Sequence, residues 1–109
     1  MIESLLGSTN AERVLVFVWA RTEGYPSEIA QFYDTDVYGI QRQLDKFEQG
    51  GVVTSRTVGK TRVYRFSPRY AFLQEVTALL EKVVSLYPEE IRDRLVIVRR
   101  RPRRRGKPL

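Results

Sequence analysis

The stretch DVYGIQRQLDKFEQGG, residues 36–51, has the pattern of one amphipathic helix with a marked beginning and end. Asp36 is a residue type that caps the first free N–H groups of a helix, and Gly50 and Gly51 are of the type that ends one. Three apolar residues share one side because they are spaced i, i+4 and i+7: Ile40, Leu44 and Phe47. The sequence therefore predicts a helix over residues 36–49 that buries this side and leaves the other side polar.

The polar side of this helix carries residue types that bind nucleic acid. Gln and Arg make paired hydrogen bonds with base edges, and Lys pairs with phosphates. The candidates for base contacts are Val37, Tyr38, Gln41 and Arg42, and the candidate for a phosphate contact is Lys46. The alternative is a solvated surface helix with an Arg42–Asp45 ion pair, which this stretch alone does not exclude.

The residues before this helix predict two more helices. Thr9 and Glu12 have the spacing of a capping box, and apolar residues at helical spacing follow them. Pro26 suits the first turn of a second, short helix, and residues 34–35 leave only a brief link to the helix capped by Asp36. Two helices joined by so tight a corner form a helix-turn-helix.

After residue 51 the pattern changes from helical to alternating. Residues 52–57 and 62–67 are rich in β-branched and aromatic residues, and they flank Gly59, which suits a tight bend. Residues 56–69 include five basic residues and no acidic one. The candidates for phosphate contacts in this hairpin are Arg56, Lys60, Arg62 and Arg65. The alternative is that these cations only prevent edge-to-edge pairing of strands.

A long apolar stripe follows the hairpin. Residues 69–86 predict a helix whose stripe is wider than a three-helix core can cover, so part of it is expected to contact a second chain. The predicted dimer interface comprises Phe72, Leu73, Val76, Leu80, Val83 and Tyr87. The alternative is that this helix folds back on its own domain.

The C-terminal residues divide into a further short helix that opens at Pro88 and a basic tail. Residues 95–98 fit either a helical turn or a short strand. Residues 99–107 contain seven of the 19 basic residues, so residues 1–98, with 12 basic and 13 acidic side chains, have a net charge of −1. We predict one domain over 1–98 and a flexible basic tail over 99–109, which would bind nucleic acid, anionic lipid or an acidic protein.

Composition excludes several classes of function. The 109 residues fit one domain, and the chain has neither Cys nor His. The lack of these residues removes disulfides, thiolate metal sites and the usual general base, so we predict no metal site, no cofactor and no enzymatic activity. The longest apolar run, residues 14–20, is far below the roughly 20 residues that span a bilayer. We predict a cytoplasmic protein without a membrane partner, and no residue pattern identifies a small-molecule effector.

The order of helix, short helix, tight turn, helix, hairpin and long helix resembles the ArsR-type winged-helix transcriptional regulators, with kinship to the MarR-like group. The resemblance covers residues 5 to about 86 and rests on LLGSTNAERVLVFV, PSEIAQFY and GIQRQLDKFEQGGVVTSRTVGKTRVYRFSPRY. It implies an α+β winged helix-turn-helix with a two-stranded β wing and a C-terminal dimerisation helix. The basic tail lies outside the family pattern. Many members sense metals through Cys, His or paired carboxylates, and a chain without Cys and His is not expected to do so.

The resemblance also implies how the chain would bind DNA. Helix 36–49 would lie in the major groove with Val37, Tyr38, Gln41 and Arg42, and wing 52–67 would contact the backbone or minor groove with Lys60 and Arg62. The predicted function is that of a sequence-specific double-stranded DNA-binding regulator, a repressor, that acts as a homodimer on a near-palindromic site. The alternative is a winged-helix module for protein–protein interaction, whose tail binds polyanions without specificity.

Overall fold

The computed structural model describes the backbone of residues 1–100 and the side chains of residues 1–96. In this part of the chain the fold is α+β, as the sequence predicts, with six helices and one three-stranded antiparallel sheet. The helices are α1 (Glu3–Leu6), α2 (Thr9–Arg21), α3 (Pro26–Tyr33), α4 (Val37–Gln49), α5 (Leu73–Ser85) and α6 (Glu89–Arg100). The strands are β1 (Glu23–Gly24), β2 (Val53–Val58) and β3 (Thr61–Phe66). None of these helices is long and apolar enough to cross a membrane.

Helix α2 forms the centre of the fold because apolar residues cover most of its surface. Residues 14–18 are all buried, and the helix contacts α3, α4, α5, α6 and the sheet. Its N-cap is Ser8, whose Oγ accepts a hydrogen bond from the N–H of Ala11 at 3.0 Å. The predicted capping box of Thr9 and Glu12 is therefore wrong, because Thr9 already lies inside the helix.

Glu12 instead has the role of the buried acceptor in a polar cluster. Its side chain accepts hydrogen bonds from the N–H of Ile2 at 2.7 Å and from the hydroxyl of Tyr87, and it lies 2.9 Å from the amino group of Met1. Burial disfavours the charged carboxylate, but these hydrogen bonds outweigh that cost and hold the pKa of Glu12 below its ordinary value. The cluster joins the first residues of the chain to α2 and to the connection between α5 and α6.

Helices α3 and α4 meet through a corner of three residues, Asp34 to Asp36. Asp34 adopts a left-handed conformation with φ +54°, and the N–H of Thr35 donates to the carbonyl of Ala30 at 2.9 Å, so that α3 ends here. Asp36 then caps α4, because its carboxylate accepts a hydrogen bond from the N–H of Tyr38 at 3.3 Å. The predicted cap and the predicted tight corner are both confirmed.

Helix α4 buries the side that the sequence predicts. Ile40 and Leu44 are fully buried, and Phe47 is partly buried against the same core. Gly50 is the C-cap of α4, and Gly51 follows with φ +79°, a conformation that a residue with a side chain rarely adopts. The two glycines thus turn the chain from α4 into β2.

The sheet has one strand more than the sequence predicts. Strands β2 and β3 form the predicted hairpin, with Gly59 at its bend at φ +63°. Strand β1 pairs with the other edge of β3, Glu23 opposite Arg65 and Gly24 opposite Tyr64, so that β3 is the central strand. The prediction of two strands is wrong because a strand of two residues is too short to show an alternating pattern.

Helix α5 begins at Leu73, later than the predicted start at Arg69. The residues in between form turns, in which the N–H groups of Tyr70 and Leu73 donate to the carbonyls of Ser67 and Tyr70 at 3.1 Å. The regular helix therefore begins about one turn later than predicted.

Residues 95–98, which the sequence allows to be either a helical turn or a short strand, are helical and belong to α6. The helix continues to Arg100, past the predicted domain boundary at residue 98. Leu95 of α6 is fully buried and packs in the core that α2 and α5 share. The remainder of the predicted tail, residues 101–109, lies outside the described residues.

Candidate nucleic-acid interface

The exposed side of α4 presents three of the four residues that the sequence selects for base contacts. Val37 is 44% exposed, Tyr38 is 65% exposed, and Arg42 is exposed as well. The guanidinium carbon of Arg42 lies 5.8 Å from the centre of the Tyr38 ring, which is a cation–π distance. These residues form one surface patch on the first two turns of α4.

Gln41, the fourth candidate, is half-buried between α4 and the hairpin. Its Nε2 donates to Oδ1 of Asp45 at 2.9 Å and to the hydroxyl of Tyr64 at 3.1 Å. The Arg42–Asp45 ion pair that the sequence allows does not occur among the described side chains, where Asp45 binds Gln41 instead. The structure therefore holds the amide of Gln41 in one orientation.

Tyr64 is the residue through which the sheet fixes this amide. It is 1% exposed and lies in β3, the central strand, with Gly24 and Ser55 as its neighbours in β1 and β2. Burial raises the pKa of its hydroxyl above the ordinary value, although the hydrogen bond from Gln41 works against this rise.

The hairpin face that carries Tyr64 also carries Arg62, because the side chains of a strand alternate between its two faces. Nη1 of Arg62 donates to Oγ of Ser55 at 2.8 Å, and the Ser55 hydroxyl donates to Oε2 of Glu48 in α4 at 2.5 Å. We call this face, with Ser55, Arg62 and Tyr64, the α4-facing face. Two hydrogen bonds between side chains, Gln41 to Tyr64 and Ser55 to Glu48, tie it to α4.

The opposite face of the hairpin, which we call the outer face, carries the other two arginine candidates. Arg56 and Arg65 point away from α4 because each is one residue out of phase with Ser55 and Tyr64. Nη2 of Arg56 pairs with Oε1 of Glu23 at 3.0 Å, and Arg65 lies opposite the same Glu23 in the sheet. The structure therefore does not place Arg56 and Arg65 beside Arg62, as a shared phosphate-binding surface would require.

A groove of about 340 Å³ lies between the N-terminal ends of α3 and α4 and the bend of the hairpin. Its lining includes Ser27, Val37, Gln41, Lys60, Thr61 and Arg62. Two cations, Lys60 and Arg62, meet here, so the groove favours an anion such as a phosphate. It brings together Val37 and Gln41 with Lys60 and Arg62, which the sequence selects separately.

Lys46, the remaining phosphate candidate, contacts a different part of the molecule. Its Nζ donates to the carbonyl of Leu6 in α1 at 3.3 Å and lies 4.9 Å from the centre of the Phe47 ring. The side chain is exposed, and it lies at the far end of α4 from the groove, which Val37 and Gln41 line.

The residues selected for a dimer interface divide between the surface and the core. Leu80 and Val83 are 0% and 3% exposed within a single chain, and the hydroxyl of Tyr87 is bound to Glu12. These three side chains are packed against their own domain, which is the alternative that the sequence left open. Phe72 is 60% exposed, whereas Leu73 and Val76 are partly exposed.

Sequence reasoning missed three contributors to this region: Ser27, Glu48 and Ser55. The alternating pattern puts Tyr64 and Arg65 on opposite faces of the strand, but no local signal pairs Tyr64 with Gln41, 23 residues earlier in the chain. Within residues 1–96 there is no group of three acidic side chains that could hold a metal ion.

Comparisons of the chain with protein-family models, with curated proteins and with solved structures found no match.

Proposed function

We propose that this protein is a sequence-specific double-stranded DNA-binding regulator, a repressor, built on a winged helix-turn-helix. In this proposal α3, the corner at residues 34–36 and α4 form the helix-turn-helix, and the β2–β3 hairpin is the wing. Helix α4 enters the major groove, which is wide enough for a helix, and the bend of the hairpin contacts the neighbouring phosphates. A regulator of this kind acts in the cytoplasm and needs neither a cofactor nor a catalytic site.

One observation carries this proposal: the groove at the start of α4. Exposed Val37 lines it together with Gln41, where base edges would be contacted, and Lys60 and Arg62 supply positive charge on the other side. The arrangement therefore combines groups that select bases with groups that bind phosphates, and specific DNA recognition needs both.

The homodimer in this proposal rests on the apolar residues that α5 leaves exposed. Leu86, just after α5, is 59% exposed and Leu79 is 36% exposed, and Phe72 precedes the helix. A symmetric pair of chains that buried these residues would present two copies of α4, and copies about 34 Å apart would contact successive turns of the major groove. The expected operator is therefore near-palindromic.

A second function, that of a protein–protein interaction module, is favoured by two observations. Residues 1–98 have a net charge of −1, and Asp36, Asp45 and Glu48 place acidic groups on or beside α4. Exposed Phe72 and Leu86 would then bind a partner protein, while the basic residues from 99 onward would bind any polyanion.

Selection from random DNA duplexes at near-physiological salt distinguishes these two functions. The full chain should be compared with a chain that ends at Arg100, because a cut after residue 98 would shorten α6. If both chains enrich the same near-palindromic site and the shorter one binds it more weakly, the helix and wing carry specificity. If the shorter chain enriches nothing and the full chain retains all duplexes equally, the DNA-binding proposal is wrong and the interaction module takes its place.

A further inference from the structure

Gln41 has an unusual hydrogen-bonding state for a residue that would contact bases. A glutamine side chain has two N–H donors on Nε2 and one acceptor oxygen, Oε1. Both donors are used here, by Asp45 and by Tyr64, whereas none of the described residues donates a hydrogen bond to Oε1. The amide cannot be turned around without loss, because a carboxylate such as Asp45 only accepts hydrogen bonds and must face Nε2.

This state limits which bases Gln41 can contact. Cytosine and adenine each present an amino group in the major groove, whereas guanine and thymine present only acceptors there. The usual glutamine contact with adenine uses both amide atoms, since Oε1 accepts from N6 and Nε2 donates to N7. With Nε2 already bound to Asp45 and Tyr64, only the first of these two hydrogen bonds remains available.

We propose that Gln41 acts as an acceptor-only specificity residue, which selects cytosine or adenine at one base position and disfavours guanine and thymine. Tyr64 and Asp45 are the positioning residues that keep its two N–H groups away from the DNA. This inference rests on the proposed DNA-binding function and adds to it a preference of stated chemistry at one position.

The two positioning residues differ in how firmly they are held. Tyr64 is fixed, because it is buried in the central strand and paired on both sides. Asp45 is exposed and lies one turn after Gln41 on the same helix. Replacing Tyr64 by Phe would free one N–H of Gln41, which could then donate to N7 of adenine, so the preference should shift from cytosine towards adenine. Replacing Asp45 by Ala would remove the group that fixes the amide, so that the Tyr64 hydroxyl could donate to Oε1 and the N–H groups could face the DNA. Guanine and thymine should then be tolerated as well.

The test is a selection from random duplexes with the full chain and four variants. Gln41→Ala identifies the position at which Gln41 acts, since preference should vanish there and persist elsewhere. At that position the wild-type chain should enrich cytosine and adenine together by about fivefold over guanine and thymine. Tyr64→Phe should raise adenine relative to cytosine by about threefold, which corresponds to one net hydrogen bond of modest strength. Asp45→Ala should reduce the discrimination against guanine and thymine by about threefold.

Tyr70→Phe is the matched control, because Tyr70 lies after the hairpin and its ring packs against Phe72; it should change no preference. Asp45→Ala keeps the test decisive if Tyr64→Phe reduces stability, since Asp45 lies on the surface. If the wild-type chain enriches a site but Gln41→Ala changes no position, or if guanine or thymine is preferred there, this inference is wrong and the proposed function stands. If the wild-type chain enriches nothing, the proposed function fails and the inference fails with it.

Discussion

The two faces of the β2–β3 hairpin contain similar residues in different surroundings. On the α4-facing face, Arg62 and Tyr64 belong to hydrogen-bonded networks that reach Glu48 and Gln41 of α4. On the outer face, Arg56 pairs with Glu23, and both side chains are about half exposed. A run of basic residues in the sequence therefore does not define one binding surface, because strand alternation divides it and the packing of α4 decides which half joins the candidate interface.

The largest expected change is a loss of stability on replacement of Tyr64, whose side chain supports the α4-facing face from within the core. Tyr64→Ala should lower the free energy of unfolding by about 3–5 kcal/mol, because it removes a large buried ring as well as a hydrogen bond. Chemical denaturation measures this change. Tyr38→Ala is the matched control, since Tyr38 is 65% exposed, and it should change stability by less than about 0.5 kcal/mol. If the two variants lost equal amounts of stability, Tyr64 would not anchor this face.

Arg42→Ala tests α4 itself, which supplies the exposed part of the same surface. Loss of a base contact should weaken binding to the selected site by about 1–3 kcal/mol and relax preference at one position only. The measurement is a binding titration against the selected duplex and against its single-base variants. A uniform loss for every duplex would show that Arg42 contacts phosphate and would assign specificity to other residues of α4.

Arg62→Ala and Arg65→Ala compare the two faces directly. Arg62 lines the groove and faces α4, so its loss should weaken binding to all duplexes by about 1 kcal/mol and reduce the slope of log affinity against log salt by about one. Arg65 lies on the outer face, so Arg65→Ala should leave the slope nearly unchanged. Fluorescence anisotropy over a range of salt concentrations gives both quantities, and equal slopes would mean that the two faces act as one surface.

Much of the fold could be predicted because its signals are local. The caps and apolar spacing of α4, and the glycine between two alternating runs, depend on neighbouring residues only. The alternating pattern of β3 also predicts that Tyr64 and Arg65 lie on opposite faces of the strand. It could not show which of the two faces α4 would cover, because that choice depends on how α2 and α4 pack together.

The predictions that failed depend, likewise, on how distant segments of the chain pack together. Ser8 and Thr9 are both good caps, and the choice between them depends on where the chain enters α2. Strand β1 exists because β3 offers it a free edge. Leu80 and Val83 were expected at a dimer interface, but they are buried in the core of their own domain. This core also includes Leu95 of α6 and is therefore larger than one formed by three helices.

The smallest expected effect is at the ion pair of Glu23 and Arg56, on the outer face. A double-mutant cycle with Glu23→Gln and Arg56→Gln should give a coupling of about 0.2–1 kcal/mol in the free energy of unfolding, because water screens both partly exposed side chains. The coupling should nearly vanish in about 1 M salt, where the screening length falls to about 3 Å. A coupling above about 2 kcal/mol that persists in high salt would mean that this pair is shielded from water, so that the outer face is itself covered in solution. The distinction between a face that is tied to α4 and a face whose arginines are exposed would then be lost.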